Sequence, residues 1–181
     1  MMLTDGTLTI RPFSEVDLDA ARDAAIESAS NVGAWFAWVH PGVTIEEAAN
    51  FAAQRAESWA RGSERSFLVE RAADKRLLGG VWLDTIDYDR KNADLGFWVR
   101  TSALRSGVAT GASRLCLKYG FEELGLERAH ILVAIGNQAS QRVAENLGAK
   151  PEGIAHAKLV LRGVKVDSRI YTIWNPRSTT P

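Results

Sequence analysis

Near the start of the chain, Thr7-Leu8-Thr9-Ile10-Arg11-Pro12-Phe13 alternates polar and apolar positions and then meets a proline, the pattern of a short opening edge strand. Ser14 then stands as an N-cap that accepts a hydrogen bond from the first turn, with Glu15 and Asp17 suited to the positive end of the dipole, and alanine-rich helical sequence runs to about Ser28. Residues 30 to 43 read as a loop, with Gly33, Pro41 and Gly42 beside Trp35, Phe36 and Trp38. Thr44-Ile45-Glu46-Glu47 is a capping box opening a second helix from Ile45 to Arg61. Ser66 to Arg71, Leu77 to Ile86 and Ala93 to Arg100 alternate as strands, joined by connections short enough to make them antiparallel neighbours. From Gly107 the period changes: Val108, Ala112, Leu115 and Tyr119 form one helical stripe, and Leu117, Phe121 and Leu124 a second, so this helix is covered on more than one side. His130 to Ile135 is continuously apolar, as in a central buried strand. Asn137 opens a further helix with Ala139, Val143 and Leu147 on one face, ending at Gly148. Two last strands follow, Gly153 to Leu161 and Lys165 to Trp174. Neither a repeat nor a linker divides the series. It predicts one α/β domain over residues 1–176, with a short tail over 177–181 and a mixed, mostly antiparallel sheet of about seven strands with about four helices.

Composition narrows the function. Lys and Arg total 22 and Asp and Glu total 22, so the chain is formally neutral and lacks the positive field of a protein that grips nucleic acid by its phosphates. With 46% hydrophobic and 24% charged residues there is material for a core. The single cysteine, Cys116, excludes an internal disulfide and a multi-cysteine metal site, and within the covered helix it reads as a small core residue. The amino terminus carries no basic or apolar leader, and no apolar run approaches the roughly 20 residues of a membrane span, so a cytoplasmic protein is expected. His40, His130 and His156 are scattered, and Asp84, Asp87, Asp89 and Asp94 fail the spacing of a calcium loop because Leu95 stands where its glutamate belongs. No metal is expected, and that acidic stretch reads as a solvated turn.

The most informative stretch is Gly96-Phe97-Trp98-Val99-Arg100 followed by Arg105-Ser106-Gly107-Val108-Ala109-Thr110. A strand, a glycine-containing loop and a helix start aim consecutive backbone N–H groups outward, and the helix dipole adds roughly half a positive charge, which suits a phosphate. Neither the phosphate loop of ATP- and GTP-binding proteins nor the G-x-G-x-x-G of dinucleotide folds is present. Thirty residues after Gly107 comes Asn137-Gln138-Ala139-Ser140, and then Leu147-Gly148-Ala149-Lys150-Pro151-Glu152-Gly153.

In that order, these segments resemble the GNAT acetyltransferase superfamily, specifically its Rim-type branch, the group like the N-terminal acetyltransferases of ribosomal proteins. Leu8 to Pro12 resembles the family's opening strand, Asp94 to Val99 its fourth, and Gly163-Val164-Lys165-Val166-Asp167 with Tyr171 its closing hairpin. The resemblance implies acetyl-CoA as cosubstrate in a V-shaped opening where the family's fourth and fifth strands splay, and an amine acceptor as the second partner. The pyrophosphate is then expected on the backbone of Arg105, Ser106, Gly107, Val108, Ala109 and Thr110, and the pantetheine arm along Phe97, Trp98 and Val99, with Asn137 opposite. The family's Q/R-x-x-G-x-G/A loop has Leu104 at its first position here, Arg105 beside it and Ala109 at its last.

An amine attacks a thioester only when neutral, and a lysine amine has a reference pKa of about 10.4, an α-amino group about 8, so a base or water relay helps. The oxyanion wants a fixed N–H donor, expected near Trp98 and Val99. The tyrosine that many family members place seven residues after the asparagine is Ala144 here; the Rim-type branch implicates the serine three residues after it, Ser140, as partner of the leaving thiolate. For the base, Glu152 matches the Rim-type carboxylate and Asp94 is the rival, with surface placement or pairing to Arg100 or Lys91 as the plainer reading of each. Trp35, Trp38 and His40 border the expected acceptor site, where they either line its pocket or pack the helix pair. With one cysteine, transfer is expected directly between two bound substrates, in a monomer or homodimer.

Overall fold

The computed structural model describes residues 1–178. Eight strands form one sheet in the order β1-β2-β3-β4-β5-β6-β8-β7, with every neighbouring pair antiparallel except β5–β6. The strands are β1 Leu3–Thr4, β2 Leu8–Arg11, β3 Arg65–Arg71, β4 Leu77–Asp87, β5 Asn92–Val99, β6 Arg128–Ala134, β7 Lys150–Leu161 and β8 Val164–Trp174. The helices are α1 Leu18–Ser28, α2 Ile45–Ala60, α3 Val108–Glu122 and α4 Gln138–Asn146. The strand beyond the seven expected is β1, too short to show alternation; Asp5 turns it back by accepting from the N–H groups of Thr7 and Leu8 at 2.9 and 2.8 Å. The tail expected over residues 177–181 lies outside the described residues from 179 onward.

Two elements begin three residues from where the sequence pattern predicts, the others within two. Ser14 does not cap α1 by accepting; its hydroxyl and N–H both donate to Asp17, at 2.8 and 2.9 Å, and Arg11 grips the same carboxylate at 2.7 and 2.8 Å. Held there, Glu15–Asp17 forms a 3₁₀ turn and α1 starts only at Leu18. β7 begins at Lys150, before Gly153, because its pairing with β8 continues through a register shift at Pro151 to Gly153. The capping box of α2 forms as patterned, with Thr44 N–H donating to Glu47 at 2.8 Å and Glu47 N–H to Thr44 Oγ1 at 3.1 Å.

The sheet separates two apolar layers. Val81, Leu83, Ala93, Leu95 and Val99 pack with Val108, Ala112, Leu115, Cys116 and Tyr119 of α3. The burial of Cys116 pushes its thiol pKa far up, as befits a core residue. On the other layer Leu68, Leu77, Trp82 and Trp98 meet α1 and Val32, Phe36, Trp38 and Val39 of the following loop. Register places Gly80 opposite Trp98 and Trp82 opposite Gly96. A Cβ on Gly96 would fall 2.2 Å from the Trp82 ring, and one on Gly80 2.8 Å from Trp98 Nε1, so each glycine makes room for an indole lying across its neighbouring strand.

The C-terminal end of α1 anchors the segment leaving β5. Glu27 accepts from Arg100 Nε at 3.0 Å and from Ser102 N–H at 2.7 Å, Arg100 Nη1 donates to Leu77 O at 3.0 Å, and Ser28 Oγ accepts from Thr101 N–H at 3.1 Å. The Arg100 guanidinium holds the Glu27 carboxyl down at about 2. Because that value is depressed by folding, the pair's stabilisation is complete above an ordinary glutamate pKa and is lost as pH falls through about 2. Glu27→Gln is expected to lower the melting temperature at pH 7, with the deficit closing between about pH 4.5 and 2; thermal denaturation across that range measures it.

Candidate active site

The parallel pairing of β5 with β6 lasts three rungs, Asn92 with Arg128, Ala93 with Ala129 and Asp94 with His130. Beyond Asp94 the strands part, because β6 continues along β8 while β5 continues along β4. This is the splay expected between the family's fourth and fifth strands; β1 shifts the numbering by one. Arg100 N–H donates to Leu78 O at 2.8 Å and the Trp98 carbonyl lies over Gly79, both toward β4. By the two-residue alternation of a strand, Phe97 and Val99 therefore turn their N–H and C=O groups into the opening, and Trp98 does not. The opening is a cleft of about 950 Å³.

One wall is the loop into α3. Arg105 and Gly107 have φ values of 61° and 80°, a left-handed bend that turns the chain into the helix. Among the described residues no protein acceptor meets the backbone N–H groups of Arg105, Ser106, Gly107, Val108, Ala109 or Thr110; the first helical donor satisfied is Gly111, bonded to Gly107 O at 2.9 Å. Six successive free donors at a helix N-terminus form an anion cradle with little net side-chain charge. All six but Ser106 line the cleft. The Ser106 hydroxyl instead donates to Ala103 O at 2.7 Å and holds the loop. Arg105 and Arg142 are the cationic side chains of the lining, while Arg100 is committed to Glu27.

Across the cleft, Asn137 caps α4 by accepting from Ser140 N–H at 3.1 Å, leaving its amide NH₂ without a partner among the described residues. Asn137 and Ser140 both line the cleft, whereas Ala144, at the tyrosine position of other family members, is wholly buried.

Asp94 faces the cleft directly opposite Asp84 on β4, and Asp84 is a residue that sequence reasoning missed. The polar stretch read as a solvated turn starts later: β4 continues to Asp87, and Asp84 is half-buried within it. Asp84 accepts from Trp82 Nε1 at 2.9 Å and Thr85 Oγ1 at 3.1 Å. Burial pushes its carboxyl above the ordinary aspartate range against those bonds and the charge of Arg55 on α2. Asp94 is raised first by burial and then by Asp84, while His130 on β6, Lys158 on β7 and the Thr85 hydroxyl pull it down. Neither Arg100 nor Lys91 pairs with it; Lys91 bridges Glu127 at 2.8 Å. Glu152 is exposed at the start of β7 and is not among the residues lining the cleft.

The aromatic loop divides its work. Trp35 lines the cleft. Trp38 packs, stacked on Phe51 of α2 with centroids 4.4 Å apart and edge-on to Trp98 at 5.6 Å. His40 faces Glu47 at 3.2 Å and so braces the start of α2. The β7–β8 hairpin closes the remaining side: Leu159, Val160 and Leu161 line the cleft, and Arg162 donates to Gly33 O at 2.6 and 3.1 Å. No sequence signal ties Arg162 to Gly33 across so many residues.

A mixed sheet parted beside a helix-start cradle defines the class, an acyltransferase fold. The acetyltransferase (GNAT) domain family matches residues 7–150, and the chain belongs to that family of acetyltransferases. Over 172 residues it is 27% identical to YdaF of Bacillus subtilis (strain 168), named as a ribosomal N-acetyltransferase, covering 92% of this chain and 90% of that one. In fold it is similar to RimL, a ribosomal L7/L12 α-N-protein acetyltransferase solved with coenzyme A, at a TM-score of 0.85 and 19% identity over 96% of this chain and 98% of that one. The microcin C7 self-immunity acetyltransferase MccE, solved with acetyl-CoA and AMP, gives 0.83 and 21% over 95% and 94%. No helix among the described residues is long and apolar enough to cross a membrane.

The raised carboxyls make a stability prediction. An acid whose pKa rises on folding contributes stability at low pH that is lost as pH climbs through its folded value. Asp84→Asn keeps an oxygen for Trp82 and removes the charge, so its melting temperature is expected above that of the parent at pH 7, the difference vanishing below about pH 4.

Proposed function

We propose that the protein moves the acetyl group of acetyl-CoA directly to a primary amine, with both substrates bound together. The observation that carries this is the meeting, in one cleft, of the free donors of Arg105 to Thr110, the unpaired edge of β5 and the Asp94 and Ser140 side chains. The pyrophosphate rests on the cradle. The pantetheine amides bond to Phe97 and Val99 as an added strand and to the free NH₂ of Asn137. The Phe97 N–H, the one of these nearer Asp94, then faces the thioester carbonyl and stabilises its oxyanion.

Asp94 takes the proton of the incoming ammonium, directly or through a water, and the amine attacks the carbonyl carbon. Collapse of the tetrahedral intermediate breaks the C–S bond, and the second proton shed by the acylated nitrogen passes through the Ser140 hydroxyl to the departing thiolate, leaving the amide, free CoA thiol and a neutral Ser140. Buried Cys116 leaves direct transfer as the economical route. The names of YdaF and RimL support a protein N-terminus as one class of acceptor.

Free thiol released from acetyl-CoA with a panel of peptides and small amines tests the activity; thiol release with none of them refutes it. Ser140→Ala is expected to cut kcat by about 10- to 100-fold while changing acetyl-CoA affinity less than about twofold. The acidic limb of the kcat/KM profile should lie above the ordinary aspartate value of about 3.9, move down in Asp84→Asn and disappear in Asp94→Asn. Glu152→Gln should leave it in place, and loss of the limb there returns the base to Glu152.

A further inference from the structure

A second cavity, of about 1250 Å³, lies between α2 and the sheet. Helix α2 runs sixteen residues, yet Ala48 is its only buried residue; Trp59 meets Phe67 of β3 edge-on at 5.3 Å and Phe51 stacks on Trp38, while both, with Ala52 and Arg55, stay half-buried and line the cavity. An amphipathic helix stabilises itself by burying its apolar face, so one held over open space leaves room for something apolar to complete it. The other walls are of the same kind, with Phe13, Trp38, Phe67 and Leu68 among them.

This cavity and the cleft share the wall formed by Phe36, Trp82, Asp84 and Trp98. Of these four only Asp84 is charged, and Asp94 stands opposite it in register. A body under α2 therefore reaches the acetyl end of the cleft at a carboxylate pair flanked by indoles. Both carboxyls are held in surroundings that penalise their charge, and an ammonium placed between them relieves that penalty.

The rest of the lining argues against a second cation deeper in. Apart from Asp84 its charged side chains are Glu15, exposed on the turn before α1, and two guanidiniums, Arg55 and Arg65. Arg55 donates to the buried Glu64 at 3.0 Å, and its buried Nε has no acceptor among the described residues. That leaves a buried donor for an oxygen, and the carboxylate beside it, Glu64, is already taken by Arg55, so no buried carboxylate is free there for a second ammonium.

On the acetyl-transfer reading above, we propose that the acceptor is a primary amine carried on an aromatic or bulky apolar body. The amine sits at Asp84 and Asp94 where the two cavities meet, and the body fills the space under α2. Linear polyamines and N-termini with small side chains are then poor acceptors.

Thiol release from acetyl-CoA is followed with tryptamine, phenethylamine and Phe- and Trp-amide dipeptides, against spermidine and Ala- and Ser-amide dipeptides. The expected result is a kcat/KM at least about tenfold higher for the aromatic set, the range that a filled apolar pocket discriminates. Phe51→Ala should reduce that ratio severalfold with acetyl-CoA affinity unchanged by calorimetry, and Phe51→Leu should restore part of it. Equal or better turnover of spermidine or the small dipeptides overturns the proposal, as does a ratio insensitive to both variants. Failure of the acetyl-transfer reading looks different: no thiol release with any amine. Calorimetric titration of tryptamine against spermidine then decides alone, binding of tryptamine only sustaining the aromatic site and any other result ending it.

Discussion

Three rungs of parallel pairing hold β5 to β6, and the site exists because the pairing stops there. A backbone edge must find partners, and past Asp94 and His130 the facing edges of β5 and β6 have none among the described residues, each strand being paired on its far side with β4 or β8. The vacancy has the shape of a strand. Everything else in the cleft is placed relative to that gap. The α3 cradle lies beyond the end of β5, α4 begins where β6 ends, and the β7–β8 hairpin is tied back to Gly33 over the opening. The Glu27–Arg100 pair serves the same gap, because it fixes the turn between the β5 edge and the anion loop.

The acceptor side depends on a different constraint, the exchange of glycine and tryptophan across β4 and β5. Positions 80, 82 and 84 share one face with 98, 96 and 94, so the face reads Gly, Trp, Asp against Trp, Gly, Asp. Two indoles fit there only because each lies over a glycine. Two carboxylates follow on the same face, where burial raises both and Asp84 raises Asp94 further, and where the apolar cavity and the polar cleft share a wall. Net neutrality acquires a local meaning: free backbone donors stand at one end of the opening and this carboxylate pair at the other.

Much of this was legible in the chain. The capping box at Thr44, the two stripes of α3 and the asparagine at the start of α4 are local patterns that local hydrogen bonding and burial realise as written, whereas the apolar run expected as a buried strand over His130 to Ile135 forms β6 over Arg128–Ala134 with alternating burial and leaves Ile135 exposed. The run of free N–H groups from Arg105 to Thr110 was readable because its chemistry belongs to consecutive backbone atoms. Ser14 and Asp84 misled for one shared reason: a short polar side chain in isolation suggests a cap or a turn, and its neighbours in space, the Arg11–Asp17 pair for one and Asp94 across the sheet for the other, assign its task.

The sequence by itself therefore determined the elements, their order, the anion loop and the family, since each rests on residues close together along the chain. Tertiary structure alone decided which carboxylates share the cleft and that Glu152 stays outside its lining while Arg100 belongs to Glu27. It also decided that α2 stands over a cavity. The physical reason is register and helix placement: which side chains face each other across β4 and β5, and how closely a helix approaches the sheet, are set by the summed packing of segments far apart in sequence.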